Sequence, residues 1–229
     1  MNIKKYWPIK SVWFASLFFA TGLLCYDASA LDSFEETKVK AESGDAAAQY
    51  NLGISYHGGE GVDKDYAEAV KWTRKAAEQN HSGAQYNLGI RYSNGEGVEK
   101  DYAEAVKWTR KAAEQNNASA QFNLGVSYDK GQGVEKDYAE AVKWYRKAAD
   151  QNNAGAQHNL GMMYEFGKGV EKDYLEAYAW YNISAKNYIK AASNRDDLED
   201  KMSPQQIAEA QKRTKQLRAL IDAKIKNTK

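Results

Sequence analysis

Apolar residues along the chain fall into short helical stripes separated by polar, glycine-containing loops. In the segment 45–57, Ala48, Leu52 and Tyr56 recur every four residues, which places them on one face of a helix. A second stripe follows Asp65, where apolar residues at helical spacing are flanked by lysine, arginine and glutamate. Glycines in the intervening loop can adopt a positive φ, which ends the first helix and lets the chain reverse. The pattern predicts two antiparallel helices, called helix A and helix B below.

This helix pair recurs every 36 residues. The segment 97–116 is repeated nearly unchanged at 61–80 and 133–152, and a more divergent copy begins at Gly169. A second motif, alanine-glutamine-x-asparagine-leucine-glycine, has the same period and begins at Ala48, Ala84, Ala120 and Ala156. A fixed period of this length is typical of a solenoid, in which each unit buries its apolar face only against its neighbours. We therefore predict a single elongated all-α domain.

The predicted repeats occupy 45–80, 81–116, 117–152 and 153–187. Segment 31–44 has the apolar spacing of helix B alone, with Asp32 or Ser33 as its predicted N-cap. Segment 188–229 is predicted to form C-terminal capping helices and a basic tail. One of these helices is expected to start at Ser203, which is followed by proline and, three residues later, by glutamine. The end units of a solenoid need such caps.

Several repeated residues are assigned to capping and packing. Asp65 and Glu68 have counterparts in every repeat, which favours a role at the N-terminus of helix B over a catalytic acid pair. Gly53 lies within helix A, where glycine costs roughly 1 kcal/mol against alanine. We therefore expect a neighbouring helix to approach Gly53 and its counterparts too closely for a side chain. Tyr66 and Trp72 are expected to lie in the core.

Residues 1–30 have the features of a secretory signal peptide. Lysines precede the apolar run 12–24, and Ala28-Ser29-Ala30 is a small-x-small cleavage site. The run is shorter than the roughly 20 apolar residues that a spanning helix needs. An uncleaved anchor and a lipoprotein acylated at Cys25 are the alternatives. We expect an exported bacterial protein, periplasmic or secreted, with no membrane insertion after cleavage.

Composition argues against several kinds of site. The 229 residues carry 32 basic and 31 acidic side chains, for a net charge of +1, so no basic face for nucleic acid is expected. Cys25 is the single cysteine and lies in the leader, which excludes a disulfide framework and cysteine–zinc sites from the mature chain. The three histidines lie in different repeats without metal-ligand spacing. We predict no metal site and no cofactor.

An enzyme that acts on cell-wall material or on β-lactams is one alternative function. Its catalytic group would occur once and not in every repeat. Glu165, Lys168 and His158, in the divergent fourth repeat, are the candidates. No second group with a matching role is evident for any of them, and we predict that the protein is not an enzyme.

The repeats resemble the Sel-one-like repeat family, a branch of the tetratricopeptide-like superfamily, over residues 45–187. The resemblance is carried by Leu52-Gly-Ile-Ser-Tyr56, Gly59-Glu-Gly-Val62 and Ala69-Val-Lys-Trp72, together with their copies. It implies a right-handed α-α superhelical solenoid that acts as an adaptor in protein assembly and signalling. Secreted bacterial members are linked to envelope stress, host interaction and cell-wall processes. Cysteine-rich members are associated with penicillin binding, and this chain lacks their cysteines.

The face of helix A opposite the core stripe is the predicted binding surface for an unidentified protein or peptide. In tetratricopeptide-like solenoids this face lines the concave surface. We call its residues the asparagine ladder: Tyr50, Asn51, Tyr86, Asn87, Arg91, Phe122, Asn123, His158 and Asn159. An asparagine amide can bond to a peptide backbone without selecting side chains, and the aromatic residues can act as anchors.

Two alternatives to this surface remain open. The amides can instead bond within the solenoid while the aromatic residues complete the core between repeats. The near-identical repeats can also associate laterally, which would make the protein a self-assembling structural spacer.

Overall fold

The computed structural model describes residues 28–227, and this part of the chain is a solenoid of eleven α-helices. They are α1 (Ala28–Glu42), α2 (Ala46–Gly58), α3 (Tyr66–Glu78), α4 (Ser82–Asn94), α5 (Tyr102–Glu114), α6 (Ala118–Lys130), α7 (Tyr138–Ala149), α8 (Ala154–Phe166), α9 (Tyr174–Ser184), α10 (Ile189–Glu199) and α11 (Pro204–Asn227). The A helices of repeats 1 to 4 are α2, α4, α6 and α8, and the B helices are α3, α5, α7 and α9. From α1 to α10 each helix packs against the next, and α11 packs against α9, which confirms the predicted all-α solenoid. Residues 1–27, which make up most of the predicted signal peptide, lie outside the described residues.

Helix B starts at an aspartate in all four repeats, as predicted. Asp65 Oδ1 accepts hydrogen bonds from the backbone N–H groups of Ala67 at 2.9 Å and Glu68 at 3.0 Å, which satisfies two of the free donors in the first turn. Glu68 does not complete a reciprocal capping box. Its carboxylate accepts instead from Lys71 Nζ at 2.7 Å and from Trp72 Nε1 at 3.1 Å.

The glycine of helix A lies against helix B of its own repeat, which confirms the predicted close approach. A Cβ atom on Gly53 would lie 2.5 Å from Thr73 Oγ1 and 3.1 Å from the carbonyl oxygen of Ala69. A Cβ atom on Gly161 would lie 2.5 Å from the ring of Tyr181. The absence of a side chain therefore sets the spacing between helices A and B.

Glycine is also required in the loop between helices A and B. Gly59 ends α2 with φ 79°, in the left-handed region that favours glycine. Gly97, with φ 70°, has no room for a side chain, because its Cβ would lie 2.0 Å from the carbonyl oxygen of Tyr66 in the preceding repeat. The loop of one repeat thus packs on the start of the previous helix B.

The core placement is confirmed for Trp72, which is 7% exposed, and is wrong for Tyr66, which is 42% exposed. Tyr66 is the first residue of α3 and lies at the rim of the solenoid. Its ring lies 5.3 Å from the ring of His57 in the same repeat. The equivalent residues Tyr102, Tyr138 and Tyr174 are half-buried, so the exposure at this helix position differs between repeats.

The predicted N-terminal cap segment lies in a single helix, α1, which starts earlier than expected. Phe34 and Ala41 of α1 are buried with Leu52 and Trp72 of the first repeat. Because α1 begins at Ala28, the predicted N-caps Asp32 and Ser33 lie inside the helix. The capping residue was misplaced because the helix extends into the predicted cleavage segment.

The C-terminal cap consists of α10 and α11. Ser203 Oγ accepts from the backbone N–H of Gln206, and Gln206 Oε1 accepts from the backbone N–H of Ser203, which confirms the predicted start of α11. Leu217 and Ile221 on α11 join the buried cluster around Trp180. Within residues 28–227, no helix is both long enough and apolar enough to cross a membrane.

Candidate functional site

The asparagine ladder begins in the second turn of each A helix. The start of each of these helices is fixed by an N-cap side chain. Asp45 Oδ1 accepts from the backbone N–H of Ala48 at 2.6 Å. The equivalent caps in the other repeats are His81, Asn117 and Asn153. Because all four helices start in the same way, the side chains that follow are presented at equivalent positions.

A buried row of glutamines holds each A helix to its neighbours, and the apolar pattern of the sequence did not indicate it. Gln85 Nε2 donates to the carbonyl oxygen of Ala77 and to Asn80 Oδ1, both at 3.1 Å. Gln85 Oε1 accepts from Gln115 Nε2 at 2.6 Å. The presence of glutamine at this position in all four A helices was the available signal. A glutamine beside an apolar stripe can face either solvent or core, so a helical wheel alone does not place it.

Asparagines of the ladder reach back by one repeat. Asn87 Nδ2 donates to the hydroxyl oxygen of Tyr50 at 3.2 Å, and Asn123 Nδ2 donates to that of Tyr86 at 3.4 Å. Within the described residues, the Oδ1 atoms of Asn87 and Asn123 have no hydrogen-bond partner. Each of these amides therefore contributes to the contact between repeats and still presents a carbonyl acceptor.

The aromatic residues of the ladder are partly exposed and also pack on the next repeat. The ring of Tyr50 lies 4.7 Å from that of His81. Phe122 packs against Gly155 of the following repeat, where an added Cβ atom would lie 3.1 Å from the ring. These rings complete contacts between repeats while part of their surface stays accessible.

The fourth unit of the ladder is covered by the C-terminal cap. His158 is 6% exposed. Its ring lies 5.6 Å from that of Tyr181 and 5.0 Å from that of Tyr188, and its Nδ1 atom lies 3.3 Å from Asn159 Oδ1. Burial lowers the pKa of His158 below its ordinary value. His158 is thus a neutral packing residue at the end of the ladder.

Arg91 is buried between repeats 1 and 2 and is 4% exposed. One guanidinium nitrogen lies 2.9 Å from His57 Nδ1, while Nε has no hydrogen-bond partner among the described residues. Since a guanidinium can only donate, His57 Nδ1 must accept. Burial lowers the pKa of Arg91. The structure therefore brings together the asparagines and aromatic residues of neighbouring repeats at the surface, and it places Arg91 beneath them.

The three candidate catalytic residues are each engaged by neighbouring side chains. Glu165 accepts from the Tyr181 hydroxyl at 2.8 Å and from Lys201 Nζ at 2.9 Å. His158 has the contacts described above, and Lys168 Nζ lies 5.6 Å from the centre of the Tyr138 ring. In the part of the chain that the structure describes, no cluster of three or more histidine, cysteine, aspartate or glutamate side chains could hold a metal ion.

The comparisons with known proteins agree with this architecture. The Sel1 repeat model matches residues 46–81, 82–117, 118–153 and 154–189, which is more than half of the chain. The chain therefore belongs to the Sel1 repeat family, whose fold is generally a non-catalytic scaffold for protein–protein interaction. No protein with a curated description is similar enough to the chain to add to this finding.

Two solved structures are close in sequence. One is a protective antigen present in uropathogenic Escherichia coli strains, with an SLR fold; it is 47% identical, with a TM-score of 0.68, over 69% of this chain and 34% of that chain. The other is a Sel1 repeat protein from Oxalobacter formigenes; it is 42% identical, with a TM-score of 0.66, over 69% of this chain and 65% of that chain. The match thus spans about a third of the first protein and less than two thirds of the second.

Proposed function

We propose that the protein is an exported, non-catalytic scaffold that binds an extended segment of a partner protein along the asparagine ladder. The observation that carries this proposal is the pair of amide oxygens on Asn87 and Asn123, which are held in place by tyrosine hydroxyls and have no partner within the described chain. Backbone N–H groups of an extended peptide are suitable donors for these oxygens. Partly exposed Tyr86 and Phe122 lie beside them on the same helices.

The spacing of the ladder suits a peptide in extended conformation. Packed helices lie about 8–10 Å apart, and three extended residues span about 10 Å. A peptide that crosses the A helices could therefore meet one asparagine per repeat. Recognition of this kind selects for an accessible backbone, and the aromatic residues add affinity through apolar contact.

The export part of the proposal is supported by the sequence of residues 1–30. Cleavage after Ala30 would leave α1 from Leu31 onward and would retain Phe34 and Ala41, which pack on the first repeat. N-terminal sequencing of protein recovered from the periplasm or culture medium should then begin at Leu31. Full-length protein confined to the cytoplasm would contradict export. Export in turn favours a role at the cell envelope or in contact with a host.

Peptide selection followed by matched variants tests the binding proposal. A displayed library of random peptides is first selected on the purified protein to obtain a peptide probe. Asn87→Ala combined with Asn123→Ala removes the amide oxygens and should weaken binding of that probe by roughly tenfold or more, the factor that corresponds to about 1.4 kcal/mol.

Tyr50→Phe combined with Tyr86→Phe is the control for this experiment. It breaks the same hydrogen bonds between repeats and keeps both amides. The proposal requires that the tyrosine variants retain most of the binding and that both pairs melt at similar temperatures. Equal losses of binding in the two pairs, or unchanged binding in the asparagine pair, would show that the ladder is only structural. Binding of a second copy of the chain would appear as dimers in light scattering, and that outcome would replace the peptide partner by self-association.

A further inference from the structure

The space between the glycine of each helix A, helix B of the same repeat and helix A of the next repeat differs along the solenoid. We call this space the glycine niche and number it by its repeat. Four equivalent helix B residues face the glycine: Thr73, Thr109, Tyr145 and Tyr181. The four niches are therefore built on the same backbone frame with different side chains.

Niches 3 and 4 are filled by a tyrosine of the chain itself. Tyr145 and Tyr181 are both 0% exposed. The Tyr145 hydroxyl donates to Asp129 Oδ2 at 3.4 Å, and the Tyr181 hydroxyl donates to Glu165 Oε2 at 2.8 Å. The two acids occupy equivalent positions on α6 and α8. The frame thus accommodates a phenol ring with its hydroxyl directed at the last turns of helix A.

Niche 1 contains threonine, but two larger side chains stand at its other positions. Arg91, which comes from the next helix A, is buried and contacts His57 Nδ1 at 2.9 Å. His57 stands at the position that Asp129 takes in niche 3. Niche 1 therefore carries a buried guanidinium at the position equivalent to Ser127 in niche 2.

In niche 2 no tyrosine faces the glycine and no arginine stands at the position of Arg91, although Tyr102 is among the residues that line the space. Thr109 faces the glycine, and the positions of His57 and Arg91 are taken by Ser93 and Ser127. A pocket of about 160 Å³ remains here, and Gly89, Thr109, Ser93, Ser127 and Asn123 are among its lining residues. The lining contains no charged side chain. The pocket therefore suits a neutral group, and it lies beside the ladder residue Asn123.

We propose that niche 2 binds a tyrosine side chain supplied by the partner segment. The partner ring would lie beside the smaller Thr109 side chain, in the distal part of the space that the Tyr145 ring fills in the next repeat. Its hydroxyl would donate to Ser93, which replaces Asp129. A cavity of about 150 Å³ accommodates benzene, so the volume of niche 2 fits one aromatic ring. This inference deepens the proposed function, because it assigns a side-chain preference to a surface whose asparagines recognise backbone.

The proposal is tested with N-acetyl-L-tyrosinamide as a probe, independently of any partner protein. The ¹⁵N-labelled protein is titrated with this compound and, separately, with N-acetyl-L-alaninamide, and amide shifts are followed by NMR. Tyrosinamide should cause saturable shifts of the Gly89, Ser93 and Thr109 amides, and alaninamide should bind roughly tenfold more weakly or worse. Equal shifts with the two probes, or tyrosinamide shifts that are not saturable, would overturn the proposal.

Two variants of the pocket sharpen the test. Thr109→Tyr places the side chain of niche 3 into niche 2, and Ser127→Met introduces the residue that Met163 provides at the equivalent position. Both should abolish the tyrosinamide shifts. Ser119→Met, an exposed position on the same helix as Ser127, is the control and should leave them unchanged. Persistence of binding in a folded Thr109→Tyr or Ser127→Met protein would place the probe elsewhere and overturn the proposal.

The outcomes separate this inference from the proposed function. If tyrosinamide binds niche 2 but the asparagine variants retain all binding of the selected peptide, tyrosine binding in niche 2 is supported and peptide binding by the ladder is contradicted. If the asparagine variants lose peptide binding while tyrosinamide does not bind, peptide binding by the ladder is supported and tyrosine binding in niche 2 is contradicted.

Discussion

Repeats 1 and 2 differ from repeats 3 and 4 in what lies against the glycine of helix A. In the N-terminal pair, Gly53 and Gly89 face threonine, while in the C-terminal pair Gly125 and Gly161 face a buried tyrosine ring. The C-terminal pair also shares a core with α11, through Leu217 and Ile221. Equivalent helices thus form a C-terminal half whose niches are filled by tyrosine and an N-terminal half whose second niche remains open. The helix B residue that faces the glycine, together with residues such as Ser93 and Ser127 on the A helices, distinguishes the two halves.

The largest expected effect is the loss of a tyrosine from the C-terminal half. Tyr181→Thr gives repeat 4 the residue of repeat 1 and removes a ring that is 0% exposed. Removing a large buried aromatic side chain costs about 3–5 kcal/mol, and Glu165 also loses its hydroxyl donor. The free energy of unfolding, measured by urea denaturation, should fall by about that amount.

The reciprocal variant Thr109→Tyr is the matched control for this prediction, because niche 2 has space for a ring. It should change the unfolding free energy much less than Tyr181→Thr. Equal destabilisation by the two variants would show that the halves do not differ in packing at this position.

A smaller effect is expected when the glycines themselves receive a side chain. Gly161→Ala places a Cβ atom 2.5 Å from the fully buried Tyr181 ring, and overpacking of this kind costs about 1–3 kcal/mol. In Gly89→Ala the Cβ atom would lie 2.4 Å from Thr109 Oγ1 and 3.0 Å from the carbonyl oxygen of Ala105. The Thr109 side chain can rotate toward the open niche, but the backbone contact remains. Alanine also gains roughly 1 kcal/mol of helix propensity over glycine, so Gly89→Ala should be destabilising, but less so than Gly161→Ala.

Thermal unfolding of the two alanine variants decides this prediction. Gly161→Ala should lower the melting temperature clearly more than Gly89→Ala. The reverse order would contradict the prediction, because it would mean that Tyr181 moves away from the added methyl group more easily than Thr109 does.

The smallest effect concerns pH and the covered end of the ladder. Burial holds the pKa of His158 below its ordinary value of 6.5, so the folded state resists protonation that the unfolded state accepts. The stability that neutral His158 contributes is complete above pH 6.5 and is lost as the pH falls through the lower folded-state pKa. His158→Phe introduces the residue found at Phe122, and it should flatten this part of the stability–pH curve. An unchanged slope in denaturation at a series of pH values would contradict the assignment.

The fold could be predicted from the sequence because its signals are local and repeated. Aspartate caps, loop glycines and the Ala48–Leu52 stripe each recur in every repeat. A wrong structural assignment in one repeat is therefore corrected by the equivalent positions in the other repeats. Predictions failed where only one copy exists or where a neighbour decides the outcome. The N-cap of α1 has no repeated counterpart, and Tyr66 is more exposed than its equivalents Tyr102, Tyr138 and Tyr174, a difference that the repeated pattern does not contain.

The candidate site was predictable only in outline. The periodicity identified the asparagines and the aromatic residues, but not the bond from Asn87 to Tyr50, which joins residues one repeat apart. Burial of Arg91 was missed because arginine is seldom buried without an acidic partner. Niche 2 is visible only when Thr109, Ser93 and Ser127 are considered together in three dimensions.

The central claim is that a partner segment binds across the A helices of the repeats. The most direct measurement is a ¹⁵N NMR titration of the protein with the peptide obtained by selection. The account predicts the largest amide shifts around Asn87 and Asn123 and little change around Lys71 and Lys107, which are exposed on helix B. Shifts centred on the B helices, with the ladder unchanged, would contradict it.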